Sequence, residues 1–313
     1  MKRPPISLIA RLSFLLLVQW ADAGDFQPAV TLGIVENPEL IELSGVVEGG
    51  VNRDVLWVHN DRHNLPRLYA LNLKGETIAT GLLDAFNEEG TMEGDWEDLA
   101  KLPGKRKGSY DLYLADFGNN PMKKREHRLL VVEEPQLDSQ KSSQQVEVDY
   151  REIRFEYPGD FICNSECLLA HPISGELWIV SKAVKEGKKS RPGSAVWSLS
   201  NLEAGESVHT ATLVMESIPA VEGVVTGGDI SPDGRRVIIR TTASTAYLWE
   251  LREGKTLKET FLSAPTEVEL ADEKGGEAIC FSKDGSKLYT VYDGKKPNRP
   301  LHVYEKNQLR PGE

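Results

Sequence analysis

The sequence predicts an all-β protein, a five-bladed β-propeller whose last blade is closed by an outer strand from near the N-terminus. Three observations carry this reading. A unit of short apolar strand, hairpin, second apolar strand and third strand recurs five times. Asp-Gly pairs stand where two of the hairpins must turn, supplying the positive φ that a tight turn demands. The fifth unit runs out of apolar sequence before its outer strand, while a strand-like segment at residues 30–35 precedes the first unit with no partner of its own.

Residues 1–23 come first and are set apart from the fold. Lys2, Arg3 and Arg11 precede the apolar stretch 12–18, and Ala21-Asp22-Ala23 offers small residues at the spacing a signal peptidase requires, so cleavage after Ala23 and a secreted or periplasmic location are expected. The apolar stretch is far below the roughly 20 residues of a membrane span, and no later segment comes closer. Residues 24–313 are read as a single propeller domain. Loss of the leader removes three basic residues and one acidic one, taking the formal charge from −11 to −13. Such acidity argues against a nucleic-acid partner, for which a basic face is expected. A monomer is expected.

The inner strands of the five units are Leu43-Ser44-Gly45-Val46-Val47, Trp96-Glu97-Asp98-Leu99-Ala100, Ser165-Glu166-Cys167-Leu168-Leu169, Gly228-Asp229-Ile230-Ser231 and Gly276-Glu277-Ala278-Ile279-Cys280. The second strands begin at Leu56, Leu112, Leu177, Val237 and Leu288, and third strands follow at residues 67–71, 128–132, 195–199, 246–251 and 301–304. Fourth strands are expected at 77–83, 146–157, 212–218 and 259–270, and residues 30–35 complete the fifth blade, which leaves no open seam in the ring. The polar stretch 136–145 reads as a solvated excursion. Only Cys163, Cys167 and Cys280 are present, so disulfides are not the framework; Cys280 reads as a buried hydrophobe, and the spacing leaves a Cys163–Cys167 bridge open.

In a propeller the inner strands line a channel, and the start of each lies at the same mouth as the end of the second strand. Ser44, Glu97, Glu166, Asp229 and Glu277 therefore predict one inward-facing ring. Four carboxylates in a narrow, partly desolvated channel repel one another unless protons or a cation compensate. An oxygen-only set suits Ca²⁺ and disfavours zinc. The alternative is structural, with carboxylates capping backbone N–H groups or pairing with Lys and Arg.

The second-strand ends place Asn60, Asp61, Asp116, Lys182 and Arg240 around the same mouth, as residues that would bind a small polar or anionic ligand. His59, Asn119, Thr241, Tyr292 and Asp293 are placed with them. A basic rim is expected from Lys123, Lys124, Arg125, Lys185, Lys188, Lys189, Arg191, Lys295, Lys296 and Arg299, while Lys101, Lys105, Arg106 and Lys107 fall at the opposite, hairpin face and read as solvated. There is no G-x-S-x-G elbow, no P-loop and no H-E-x-x-H helix, and His59 and His63 beside Asp61 read as local hydrogen-bonding groups.

The strings His59-Asn60-Asp61, Asp95-Trp96-Glu97-Asp98-Leu99-Ala100, Thr226-Gly227-Gly228-Asp229-Ile230-Ser231-Pro232-Asp233-Gly234 and Gly276-Glu277-Ala278-Ile279 resemble a widespread group of secreted bacterial WD40-like propeller proteins without an agreed reaction. The resemblance covers nearly all of the mature chain and implies the fold. More distantly, Ser44, Glu97, Glu166 and Glu277 are similar to the channel calcium site of the calcium-activated nucleotidases, five-bladed propellers whose ring mixes hydroxyl and carboxylate residues; Asp229 stands where that family has a hydroxyl. Two classes of function follow. One is a binding propeller for a small polar or anionic ligand or for an envelope protein; the other is a Ca²⁺-dependent hydrolase of a phosphate ester or anhydride or of a lactone.

Overall fold

The structure is a computed structural model that describes residues 25–307, except 63, 91, 201, 203, 204, 206, 274, 292, 293 and 295–298. The expected leader, and Tyr292, Asp293, Lys295, Lys296 and His63, lie outside the described residues.

Five sheets form the blades. Their inner strands are Leu43–Glu48, Trp96–Pro103, Phe161–Ala170, Val225–Ile230 and Ala278–Phe281. Each packs against the inner strands of the two neighbouring blades, and the fifth packs against the first, so the ring is closed. Closure within blade five is made as expected: Val30–Val35 pairs antiparallel with Arg299–Glu305, Val30 opposite Val303. The first and last strands among the described residues thus lock each other.

The apolar residues lie in five clusters, one per seam between blades. Trp57, Leu68, Trp96, Leu114 and Leu130 fill the seam between blades one and two, and Leu129, Phe155, Leu168, Ile179 and Trp197 the seam between two and three. Neighbouring residues on one strand serve different seams: Leu129 and Val131 face blade three, Leu130 and Val132 face blade one. A strand buried on both faces needs such an unbroken apolar run, since successive side chains point to opposite sides. The Ser231-Pro232-Asp233-Gly234 and Ser282-Lys283-Asp284-Gly285 turns form as predicted, with Gly234 at φ 68° and Gly285 at φ 71°. In each, the serine hydroxyl donates to the aspartate, at 2.6 and 2.7 Å.

Two expectations are corrected, and an open one is decided. Part of the polar excursion is ordered as a strand, Gln144–Glu147, which pairs in parallel with Thr77–Leu82 at the outer edge of blade one before Tyr150–Glu156 becomes the fourth strand of blade two. Val208–Thr210 likewise joins the edge of blade two. Each linker reaches back to the preceding blade and satisfies an edge that would otherwise face water. The segment expected to be a strand over 259–270 contains the helix Leu257–Phe261 and a shorter strand, Thr266–Glu269. Thr256 and Glu259 form a reciprocal capping box there. Finally, the three cysteines are free and buried. Cys163 and Cys167 sit four residues apart on one strand, facing the seams toward blades two and four respectively, too far apart for the roughly 7 Å limit of a disulfide.

Among the described residues no helix is long and apolar enough to cross a membrane.

Candidate functional site

The site begins with a repeated irregularity in strand pairing. In blade one Leu43 faces Asn60 and Gly45 faces His59, leaving Ser44 unpaired; the same register break leaves Glu97 in blade two, Glu166 in blade three and Thr226 in blade four. In blade five Glu277 immediately precedes the paired Ala278. A bulge re-aims the side chain of its extra residue. The ring level is therefore Ser44, Glu97, Glu166, Thr226 and Glu277.

Asp229 is corrected by this register. It lies three residues beyond Thr226, opposite Ile238, and its carboxylate accepts the N–H groups of Ile230 and Phe281, both at 2.8 Å. It thereby ties blade four to blade five. Asp98 makes the same kind of link from blade two to blade three, accepting from Leu99 and Leu168 at 2.8 Å. Burial pushes the Asp229 carboxyl up to about 6, opposed by its backbone donors and by Lys101.

At the ring level, carboxylate oxygens of Glu97, Glu166 and Glu277 lie within 4.8 Å of one another. Glu97 and Glu166 are buried, at 2% and 1% exposure. Burial, then the charges of Glu166, Asp61, Asp95 and Glu277, raise the Glu97 carboxyl well above the usual range. Glu166 is also raised by burial, although Lys182, ion-paired with its Oε1, opposes the shift. Both buried oxygens of Glu166 nevertheless lack a hydrogen bond of good geometry. The two hydroxyls complete the set in a consistent way. Ser44 donates to the Glu97 carbonyl at 2.5 Å and Thr226 to the Gly276 carbonyl at 3.1 Å. With its proton committed to the next blade, each hydroxyl oxygen keeps its lone pairs as acceptors.

A second group of carboxylates adjoins the ring. Asp61, Asp95 and Glu97 also place oxygens within 4.8 Å of one another. Burial, with the nearby Asp95 charge, pushes the Asp61 carboxyl up to about 7. Arg62 approaches Asp95 Oδ2 at 3.4 Å. Gly118 passes so close that a Cβ there would lie 2.1 Å from Glu97 Oε1. Beside this group a cavity of about 780 Å³ opens in blade two, with Arg62, Asp95, Gly118, Lys123 and His127 in its wall. His127 is 1% exposed, with neither ring nitrogen hydrogen-bonded, and burial pushes it down to about 3.

Of the five residues expected to bind a ligand, Asp61 and Lys182 therefore adjoin the ring, while the other three are engaged in the framework. Asn60 is buried, donating to the Glu39 carbonyl at 2.6 Å and accepting from the Glu42 N–H at 3.3 Å. Asp116 is fully buried and accepts from Asp95 N–H at 2.9 Å, Lys124 at 3.0 Å and Arg128 at 2.6 Å. Burial acts to raise its carboxyl, but Lys124 and Arg128 outweigh that and hold it below the usual range. Arg240 is fully buried, bonded to the Ala278 carbonyl at 2.8 Å and to Glu273 at 2.6 Å, and Glu273 is held in turn by Thr290 at 2.7 Å and by His302.

The residues placed with them are also framework groups: His59 Nδ1 meets the Asn60 carbonyl at 3.0 Å, Asn119 donates to the Lys124 and Cys163 carbonyls, and Thr241 donates to the Thr245 carbonyl. The expected rim loses Arg299, which is buried and donates to the Asn37 carbonyl at 2.6 Å. Lys101, expected to be solvated, reaches inward to the Glu48 carbonyl at 2.5 Å, and burial lowers its ammonium. Asp95, Arg62, Gly118 and Thr226 are the site residues that sequence reasoning did not single out. Asp95 and Thr226 stood within the quoted motif strings, but only the bulges reveal their level in the channel.

No protein-family model matches the chain, and no match emerges among curated proteins. Among solved structures the chain is similar to the WD40 domain of Neurospora crassa Pan2, at 10% identity over 93% of this chain and 98% of that one, with a TM-score of 0.43, a likeness from which nothing about the site follows.

Proposed function

We propose that the protein binds a small polar or anionic ligand at the ring mouth of its channel, with a Ca²⁺ ion held among Ser44, Glu97, Glu166, Thr226 and Glu277. The observation that carries the reading is the convergence of three carboxylates within 4.8 Å, two of them buried. Lys182 is ion-paired with Glu166. Desolvated carboxylates at that spacing need a proton or a cation between them. The donors are all oxygen, as Ca²⁺ requires, and the two hydroxyls present lone pairs rather than protons. Thr226 also supplies the hydroxyl that the nucleotidase-like ring pattern calls for in the fourth blade. The ion would contribute charge compensation and an anchor for an anionic group. Lys182 and the cavity beside Asp95 are the surfaces such a ligand would meet.

Asp61 favours the hydrolase as a second reading. Its carboxylate lies with those of Asp95 and Glu97 beside the proposed ion, where a side chain could move a proton to or from a bound substrate. The test is a screen of phosphate esters, phosphate anhydrides and lactones on the purified mature protein, with Ca²⁺ and with a chelator, alongside calorimetric Ca²⁺ binding. Ca²⁺-dependent turnover abolished by Asp61→Asn supports the hydrolase. Ligand binding without turnover supports the binding propeller, and absence of Ca²⁺ binding refutes both. An exported location is part of the proposal and is checked by the N-terminal sequence of the mature protein, expected to begin at Gly24.

A further inference from the structure

We infer that a second divalent cation binds beside the first, held by Asp61, Asp95 and Glu97, with the Glu97 carboxylate bridging the two ions. The inference rests on the reading of the ring as a cation site and extends it. Asp61 follows the second strand of blade one, whereas Asp95 and Glu97 open the inner strand of blade two, so two blades contribute. Their oxygens lie within 4.8 Å of one another, and Glu97 belongs to this triad and to the Glu97–Glu166–Glu277 triad alike.

An independent observation points to a ligand. Asp95 is 8% exposed, and its buried Oδ1 has no hydrogen-bond partner. Its other oxygen has Arg62 at 3.4 Å, beyond the usual length of a charge-assisted hydrogen bond. A desolvated carboxylate oxygen with nothing to bond is rare in a folded protein, and a bound ion is one of the standard reasons for it. Gly118 adds to this. A Cβ there would lie 2.1 Å from Glu97 Oε1 and 2.5 Å from Asp95 Oδ2, so the backbone passes close to both carboxylates and a side chain at this position would collide with them.

Charge favours a second ion. Asp61, Asp95 and Glu97 carry three negative charges when ionised, and Arg62 is ion-paired with Asp95. A divalent cation held among the three carboxylates offsets charge that would otherwise repel an anionic ligand. Carboxylate-bridged ion pairs of this kind are the usual clamp for an anion with several oxygens, such as a phosphate group. The cavity of about 780 Å³ is walled by Arg62, Asp95 and Gly118, so the second ion would face the open side. All donors are oxygen, which selects Ca²⁺, Mg²⁺ or Mn²⁺.

The experiment is calorimetric titration of chelator-stripped mature protein with Ca²⁺, repeated on Asp61→Asn, Asp95→Asn and Glu166→Gln, with electron paramagnetic resonance of the Mn²⁺-loaded proteins. The wild type is expected to take two Ca²⁺ per chain and to give an exchange-coupled Mn²⁺ signal. Asp61→Asn and Asp95→Asn are expected to take one and to lose the coupling. A wild type that takes one ion, removed by Glu166→Gln and untouched by Asp61→Asn, overturns this inference and leaves the ring ion standing. No ion at all overturns both. Asp61 is only half-buried, so Asp61→Asn, with its melting curve as a folding check, carries the test even where Asp95→Asn does not fold.

Discussion

Lys182 would compete with the proposed ring cation, and replacing it by methionine should tighten Ca²⁺ binding. Its ammonium is ion-paired with Glu166 Oε1, and the two side chains are 25% and 1% exposed. A unit-charge pair at ring spacing interacts by roughly 3.5 kcal/mol at an effective dielectric of about 20, so an ion of charge two cannot enter with the ammonium in place. The ammonium must swing toward the funnel, which gives up its ion pair with Glu166, worth about 1.5–3 kcal/mol once the Coulombic figure is discounted for the partly exposed ammonium. Lys182→Met removes that cost, and the dissociation constant for Ca²⁺ should fall by roughly ten- to 150-fold. The metal-free variant should melt lower than wild type, because Glu166 is left buried without its partner. Titration calorimetry and paired melting curves with Ca²⁺ and with chelator measure both effects. Unchanged or weaker Ca²⁺ binding by Lys182→Met would refute the reasoning, since Lys182 would then be either irrelevant to the ring or part of the ion's support.

Three further outcomes are expected. Ca²⁺ at 100 times its dissociation constant should stabilise the wild type by about 2.7 kcal/mol, a rise in melting temperature of roughly 5–10 °C that a chelator abolishes. Without metal, Asp61 at about 7, with Glu97 also raised, favours the folded state in its protonated form. That contribution is complete below the unfolded aspartate range and is lost as pH rises through 7, so denaturant midpoints measured from pH 4 to 7 should decline less in Asp61→Asn than in wild type. Arg240→Met breaks a pair whose side chains are 0% and 1% exposed and should cost about 3–5 kcal/mol in denaturant unfolding with Ca²⁺ stoichiometry unchanged; weakened ligand binding at full stability would instead place Arg240 in the site.

The elements of the blades were legible because each rests on a local signal. Apolar runs mark strands buried on both faces, and the Asp-Gly pairs at 233–234 and 284–285 mark turns whose glycines do adopt positive φ. The closing strand was legible by elimination, as one strand too few at the end and one too many at the start. The capping box at Thr256 and Glu259 was equally local and is a signal the strand expectation for 259–270 passed over.

What the sequence by itself determined is the inner, second and third strands of each blade, their grouping into five blades and the acidic residues near one mouth, since periodicity and turn chemistry act over a few residues. The tertiary structure alone decided which residues share a level in the channel and which are already engaged. Asp229 and Thr226 are three residues apart, and nothing local separates them; the bulge that lifts Thr226 to the ring exists only in the pairing with Arg236–Thr241. Asn60, Asp116 and Arg240 carry polar groups at the right strand ends, yet their partners, the Glu39 carbonyl, Arg128 and Glu273, arrive from other segments. A buried polar group takes whichever partner the neighbouring element brings within about 3 Å, and that proximity is a property of the closed ring.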